Sequence, residues 1–345
     1  MNPVLVQVLR GSAIESFHRG AMAIVDADGA VHTALGDIDR PIFPRSAVKA
    51  LQALPLVASG AADRFGLSDE ALALACASHN GEPAHTATAA AVLAQAGLDD
   101  SALECGTHWP YHEASSRALA RKRQGPSALH NNCSGKHAGF VCVGCLMALD
   151  AGREPAEFLR GYVKPEHPVM REISAALQSA TGCDLANAPT GTDGCSIPTF
   201  GIPLRQLARG FARLASGQGL SPADATAAKR LRQAVARAPF MVAGSGRFDT
   251  KVMQHFGERV FCKVGAEGVY CAALPTRGLG VAIKVDDGNT ARAAEVVMAS
   301  VIEALAQRDD ADAAVLRDLV RVPLTNWNGI EVGSVAPAEA LSRLA

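Results

Sequence analysis

The chain is 345 residues long with a formal charge of −1; 48% of its residues are hydrophobic and 19% are charged. That length suffices for a large core, in one big domain or two closely joined ones. The balanced charge excludes the basic field that nucleic acid or an anionic membrane surface would require, and the tightest basic run, from Arg117 to Arg123, reads as a solvated helix face.

In chain order, residues 4–9 and 18–35 read as strands, the second turning back at Asp26-Ala27-Asp28-Gly29 in hairpin fashion. Pro41 and Pro44 break the pattern, after which residues 46–59 resume as an apolar, Ala/Leu-rich helix. From residue 63 to about 237 the chain is mostly helical. Ser68 caps the segment carrying residues 70–76, and the run 86–97 ends at glycine. Further helices are expected over 115–122, 138–152, 167–181, 202–216 and 222–238. Residues 260–264, 268–274 and 280–285 return to strands between Gly-rich turns, and 290–307 is a closing helix. Strands at both ends and helices between them predict an α/β (α+β) fold. One antiparallel sheet is built from residues 1–60 and 240–345, and a mainly helical part, 61–239, forms the second lobe of a single catalytic unit spanning 1–345. A site is expected in the cleft between the lobes.

Residues 1–8 lack the charged and apolar regions of a signal peptide, and no apolar run reaches the ~18 residues that span a bilayer. Nine cysteines at irregular spacing, an odd number in a long chain, argue for reduced thiols and a cytoplasmic location.

Five segments carry groups that a core does not need. In Pro44-Arg45-Ser46-Ala47-Val48-Lys49, proline favours a first-turn position, so Ser46 lies near a helix start with Lys49 on the same face. A desolvated lysine can take the proton of a serine hydroxyl, and a helix N-terminus favours a developing oxyanion; an accidental Ser-x-x-Lys is the alternative. Lysine is scarce, eight residues against 25 arginines, yet Lys49, Lys136 and Lys263 sit in apolar or Gly-rich contexts where a solubilising charge is out of place. Arginine cannot serve as base or metal ligand, whereas lysine can.

The segment Ala77-Ser78-His79-Asn80-Gly81-Glu82 offers a second hydroxyl in Ser78 and donors at Asn80 and Gly81, against the plainer reading of an Asn-Gly turn. The block Asn131-Asn132-Cys133-Ser134-Gly135-Lys136-His137 and the distant Asp193-Gly194-Cys195 offer two thiols and an amine. Two thiolates and a third ligand would leave an open zinc position, and a nucleophilic Cys133 competes with that reading. Cys142-x-x-Cys145 lies in an apolar helical run and reads as core thiols. Lys263, followed at one remove by Gly265, is placed on a strand edge where a substrate can approach, or on a solvated hairpin.

Taken in order, Arg45-Ser46-x-x-Lys49, Ser78-His79-Asn80-Gly81-Glu82, Asn131 to His137, Asp193-Gly194-Cys195 and Lys263-x-Gly265-x-Glu267-Gly268 resemble the asparaginase II family of the Rhizobium etli type, over essentially the whole chain. The resemblance implies a fold like serine β-lactamases and glutaminases, usually a homodimer, and hydrolysis of L-asparagine to L-aspartate and ammonia; the charge balance already leaves no nucleic-acid or membrane partner. It implies catalytic pairs Ser46 with Lys49 and Ser78 with Lys263, and zinc held by Cys133, Lys136 and Cys195 with water. It also implies substrate-site roles for Arg45, Asn80, Gly81, Asn132, His137 and Asp193. Where a family example carries a third site cysteine, this chain aligns Phe248. A glutaminase or related amidase, a β-lactam-binding relative, and a non-catalytic zinc- or amino-acid-binding protein are the alternatives.

Overall fold

The computed structural model describes residues 1–342 and 344. Its centre is an eight-stranded antiparallel sheet whose strands come from both chain ends: β1 (Val4–Arg10), β2 (Ala13–Val25) and β3 (Val31–Leu35) from the first, β8 (Phe261–Val264), β9 (Val269–Leu274), β10 (Leu279–Val285), β11 (Val322–Thr325) and β12 (Glu331–Pro337) from the last. The order is β11-β12-β1-β2-β10-β9-β8, with β3 also on β2. Strand β2 is long enough to change partners: its first half pairs with β1, and its second half lies between β3 and β10. Two small ribbons complete the strands, β4 (Pro41–Ile42) with β7 (Ile202–Pro203) and β5 (Thr190–Thr192) with β6 (Pro198–Phe200).

Central strands are buried on both faces, which their near-continuous apolar text requires. Helix Leu204–Ser216 lies against β10 so closely that a Cβ on Gly280 would meet Ala208 O at 2.0 Å. Helix Glu295–Ala306 packs against β9, β12 and β1. The helices between the two sets of strands are arranged around helix Ser134–Asp150, buried continuously from Ser134 to Cys145. There Cys142 and Cys145 are core thiols, pushed up to about 12 and about 11, chiefly by burial.

Two departures have local causes. The expected helix over 46–59 is instead a 3₁₀ turn, Arg45–Val48, followed by helices Lys49–Gln52 and Leu54–Ala58. Pro55 lacks the N–H that would continue the ladder to Leu51, so the chain restarts with proline in a first turn. The hairpin β11–β12 and helix Asp310–Val320 were not signalled, because β11 contains Pro323 and β12 contains glycine and serine. Proline is tolerated there because β11 is an edge strand.

Candidate active site

Four separate elements deliver the chemistry to one cleft. The 3₁₀ turn holds Ser46, the loop after helix Asp69–Ala75 holds Ser78, the start of helix Ser134–Asp150 holds Lys136, and the edge strand β8 holds Lys263. Strand β8 reaches the Ser46 turn because residue 265 is glycine: a Cβ there would meet Pro44 O at 2.6 Å. Arg45, immediately before Ser46, has φ +52°. A non-glycine residue in this left-handed region costs about 1–2 kcal/mol, strain of the kind that collects at functional sites.

Lys49 and Lys263 are wholly buried and Lys136 is 2% exposed, so the three lysines singled out by their apolar contexts are interior groups. Lys49 Nζ donates to Ala77 O at 2.6 Å, Ser78 Oγ at 3.0 Å and Asn132 O at 3.3 Å. Lys263 Nζ reaches the same Ser78 Oγ at 3.0 Å and donates to Val264 O at 2.8 Å. Ser78 thus lies between two amines. Ser46 makes no side-chain hydrogen bond among the described residues, so the hydroxyl bonded to Lys49 is that of Ser78. Burial pulls the Lys263 amine down to about 7; Lys49 and Arg247 act in the same direction, while Asp249 and Cys133 oppose it. An amine near neutrality can exchange protons at working pH.

Ser46 and Ser78 face a cavity of about 230 Å³, lined also by Tyr111, Asn132, Arg247, Val264, Gly265, Ala266 and Thr290, with the two lysine amines behind Ser78. That is smaller than the ~300–1,000 Å³ pockets of drug-sized ligands. The four-residue turn that carries Ser46 is too short to build a helix dipole.

Cys133, Lys136 and Cys195 converge beside this cavity. Lys136 Nζ donates to Cys195 Sγ at 2.9 Å. The Cys195 thiol bonds Cys133 and holds it well below the ordinary thiol range; Lys49 and Lys136 add to this against burial. The same bond, with burial, pushes Cys195 up, so the pair sheds one proton readily and keeps the other. Burial lowers the Lys136 amine, but the sulfurs of Cys195 and Cys133 beside it, the first through a hydrogen bond, outweigh it. Two thiols and an amine suit a borderline-soft ion such as zinc. Among the described residues no three His, Cys, Asp or Glu side chains converge on a metal position, so a metal here needs Lys136 as a ligand. Cys133 does not line the cavity and its Sγ turns to Asn132 Oδ1 at 3.5 Å, which disfavours it as nucleophile.

The other sequence candidates are spread around this centre. Arg45 Nε donates to Asp193 Oδ1 at 2.6 Å, linking the Ser46 turn to the turn that carries Cys195. Arg45 also lines a neighbouring cavity of about 550 Å³ with Phe43, Glu267 and Lys284. Asn80 accepts from Arg247 at 3.0 Å and donates to Ser245 O at 3.1 Å, while Gly81, at φ +74°, packs against Pro110 and faces a different cavity. His137 is buried away from the cavity, its Nδ1 2.7 Å from Tyr162 Oη and its Nε2 without a partner among the described residues. Phe248 buries its ring against Tyr270.

Sequence reasoning passed over Arg247, Tyr111 and Asn131. Asn131 holds the Cys133 loop, accepting from Cys133 N at 2.8 Å and donating to Cys105 O at 2.9 Å. His79, likewise overlooked, accepts from Gly81 N at 3.0 Å, and its other ring nitrogen lies 2.9 Å from Ser134 Oγ.

A helix-flanked antiparallel sheet with hydroxyls and buried amines in its cleft has the groups that acyl-transfer chemistry uses. The family model of L-asparaginase II matches residues 6–337. The chain therefore belongs to the L-asparaginase II family, hydrolases that act on amides. Among solved structures it is similar to a protein from Bacteroides dorei DSM 17855, provisionally described as a beta-lactamase, at 16% identity and TM-score 0.40, covering 79% of this chain and 86% of that one. Among curated proteins none matches this sequence. No helix among the described residues is long and apolar enough to cross a membrane.

Proposed function

We propose that this chain is an L-asparaginase that hydrolyses the side-chain amide of L-asparagine through an acyl-enzyme on Ser46. The observation that carries the reading is Ser78 Oγ, 3.0 Å from each of two wholly buried lysine amines, beside a small cavity that Ser46 also lines. Ser78 is already engaged on two sides, which suits a proton relay, whereas Ser46 is open to the cavity, which suits attack. Ser46 Oγ forms a bond to the amide carbon while its proton passes through Ser78 to a neutral lysine. The C–N bond then breaks as that proton is delivered to the leaving nitrogen, releasing ammonia. Water hydrolyses the ester, giving aspartate and restoring the serine. The backbone N–H of Ser46 would face the oxyanion, that of Ala47 already donating to Pro44 O at 3.1 Å.

Arg45, Asp193, Asn80 and Asn132 are proposed to hold the amino-acid end of the substrate, Arg45 suiting the carboxylate and Asp193 the ammonium. Cys133, Lys136 and Cys195 would hold zinc; bound there it would supply Lewis acidity and organise the Asp193 turn. The organising role is favoured, because serine and lysine already provide nucleophile and base. A cytoplasmic homodimer, each chain a single catalytic unit, completes the proposal. Ile14, Phe17, Trp327 and Ile330 are exposed apolar side chains on the β1–β2 and β11–β12 hairpins, which meet at Gly11 and Val332, and would be covered by a second copy.

The test is ammonia release from L-asparagine and L-glutamine, with and without chelator. Turnover of asparagine well above glutamine supports the assignment. Comparable rates point to a broader amidase, and tight binding without ammonia release refutes catalysis.

A further inference from the structure

Behind Lys263 lies a second buried group that the proposed chemistry does not use. Asp249, in the first turn of helix Phe248–Phe256, is 1% exposed. No lysine, arginine or histidine lies within salt-bridge distance of it among the described residues. A carboxylate in that position costs several kcal/mol unless its surroundings compensate. Its Oδ1 accepts from Val264 N at 3.0 Å, the residue that follows Lys263 on β8, and lies 3.9 Å from Cys262 Sγ, the residue that precedes it. Asp249 therefore grips β8 on both sides of the lysine. The Phe248 ring, edge-on to Tyr270 with centroids 5.5 Å apart, fixes the same helical turn against β9.

The charged surroundings of Lys263 otherwise run the wrong way for an ammonium. Lys49 and Arg247 repel it; Asp249 and Cys133 attract it. The thiols of Cys76, Cys262 and Cys271, buried around it, are pushed up by burial. Glu295 is raised to about 7, first by burial and then by the neighbouring Asp249.

We propose that Asp249 is the positioning residue of Lys263, holding the strand through the Val264 N–H and acting as the local counter-charge without touching substrate. The inference rests on Lys263 belonging to the catalytic set.

Asp249→Asn keeps an oxygen for the Val264 N–H and removes the charge. With Lys263 as base, the acidic limb of kcat/KM should move to lower pH by about one unit, with fold and substrate KM little changed. A folded variant with an unmoved limb overturns the proposal. A measurement independent of turnover is a cycle of thermal unfolding on wild type, Asp249→Asn, Lys263→Met and the double variant from pH 6 to 8. Asp249→Asn should destabilise less when Lys263 is absent, and where the single variant does not fold the double variant should. Costs that add independently, or a double variant as unstable as the single, overturn it. Absence of ammonia release by wild type alongside coupled unfolding would strike the asparaginase reading and leave the pairing of Asp249 with Lys263 standing.

Discussion

Replacing Lys263 by methionine should make the protein more stable at neutral pH while removing its activity. An unfolded lysine titrates near 10.4, but burial draws the folded amine down to about 7. A gap of about three pKa units corresponds to roughly 4 kcal/mol. The sign follows from proton counting: between pH 7 and pH 10 the unfolded chain holds a proton that the folded chain has released. The group's contribution therefore makes stability rise with pH across that window, while below pH 7 the full penalty persists. Methionine removes the penalty and fills much of the same space. Against this, Val264 O and Ser78 Oγ each lose a partner, at about 1–3 kcal/mol together. The net expectation at pH 7 is a gain of about 1–3 kcal/mol, a melting temperature a few degrees higher, and a gap that closes or reverses by pH 10. Turnover should fall at least ~10²-fold, the usual range for losing an acid–base group. Differential scanning calorimetry from pH 6 to pH 10 with an ammonia assay reads both. A variant less stable by the same amount at every pH, or one that keeps its turnover, would show that Lys263 is a structural amine.

Ser46→Ala should abolish turnover yet retain calorimetric binding of L-aspartate, while Ser78→Ala, which leaves Lys49 its bonds to Ala77 O and Asn132 O, should fold and lose about 10²–10⁴-fold; the reverse ranking would move the nucleophile to Ser78. Cys195→Ala should sharply lower zinc content measured by mass spectrometry of the dialysed protein, and an unchanged content would remove the thiol pair from the metal site. Arg45→Met should raise KM for asparagine more than it lowers kcat, because Arg45 and Asp193 are proposed to hold the amino-acid end of the substrate rather than to act as base. Trp327→Asp should shift the light-scattering mass from dimer to monomer, and a wild-type monomer would reject the proposed second copy.

Much of this was legible in one dimension, because local chemistry leaves local traces. Periodicity and glycine punctuation place β8, β9 and β10 and most of the central helices within a few residues. The scarcity of lysine marked Lys49, Lys136 and Lys263, and all three are interior. The apolar setting of Cys142 and Cys145 marked them as core thiols. Family membership was carried by a rare block, Asn131 to His137, whose text is more specific than any fold pattern. Weak text hid the β11–β12 hairpin, since an edge strand can carry proline without losing the sheet.

What only the tertiary structure decided is who touches whom. Spacing joined Ser46 to Lys49, three residues apart, yet the folded chain hands Lys49 to Ser78 and sets Lys263, 185 residues further on, against the same oxygen. Arg247 at the cavity and Asp249 beneath β8 carry no sequence mark of their position. A residue's type and neighbours constrain its own backbone, but the distance between side chains on different elements is set by packing, here by the close approach of Gly265 to Pro44 and of Gly280 to Ala208.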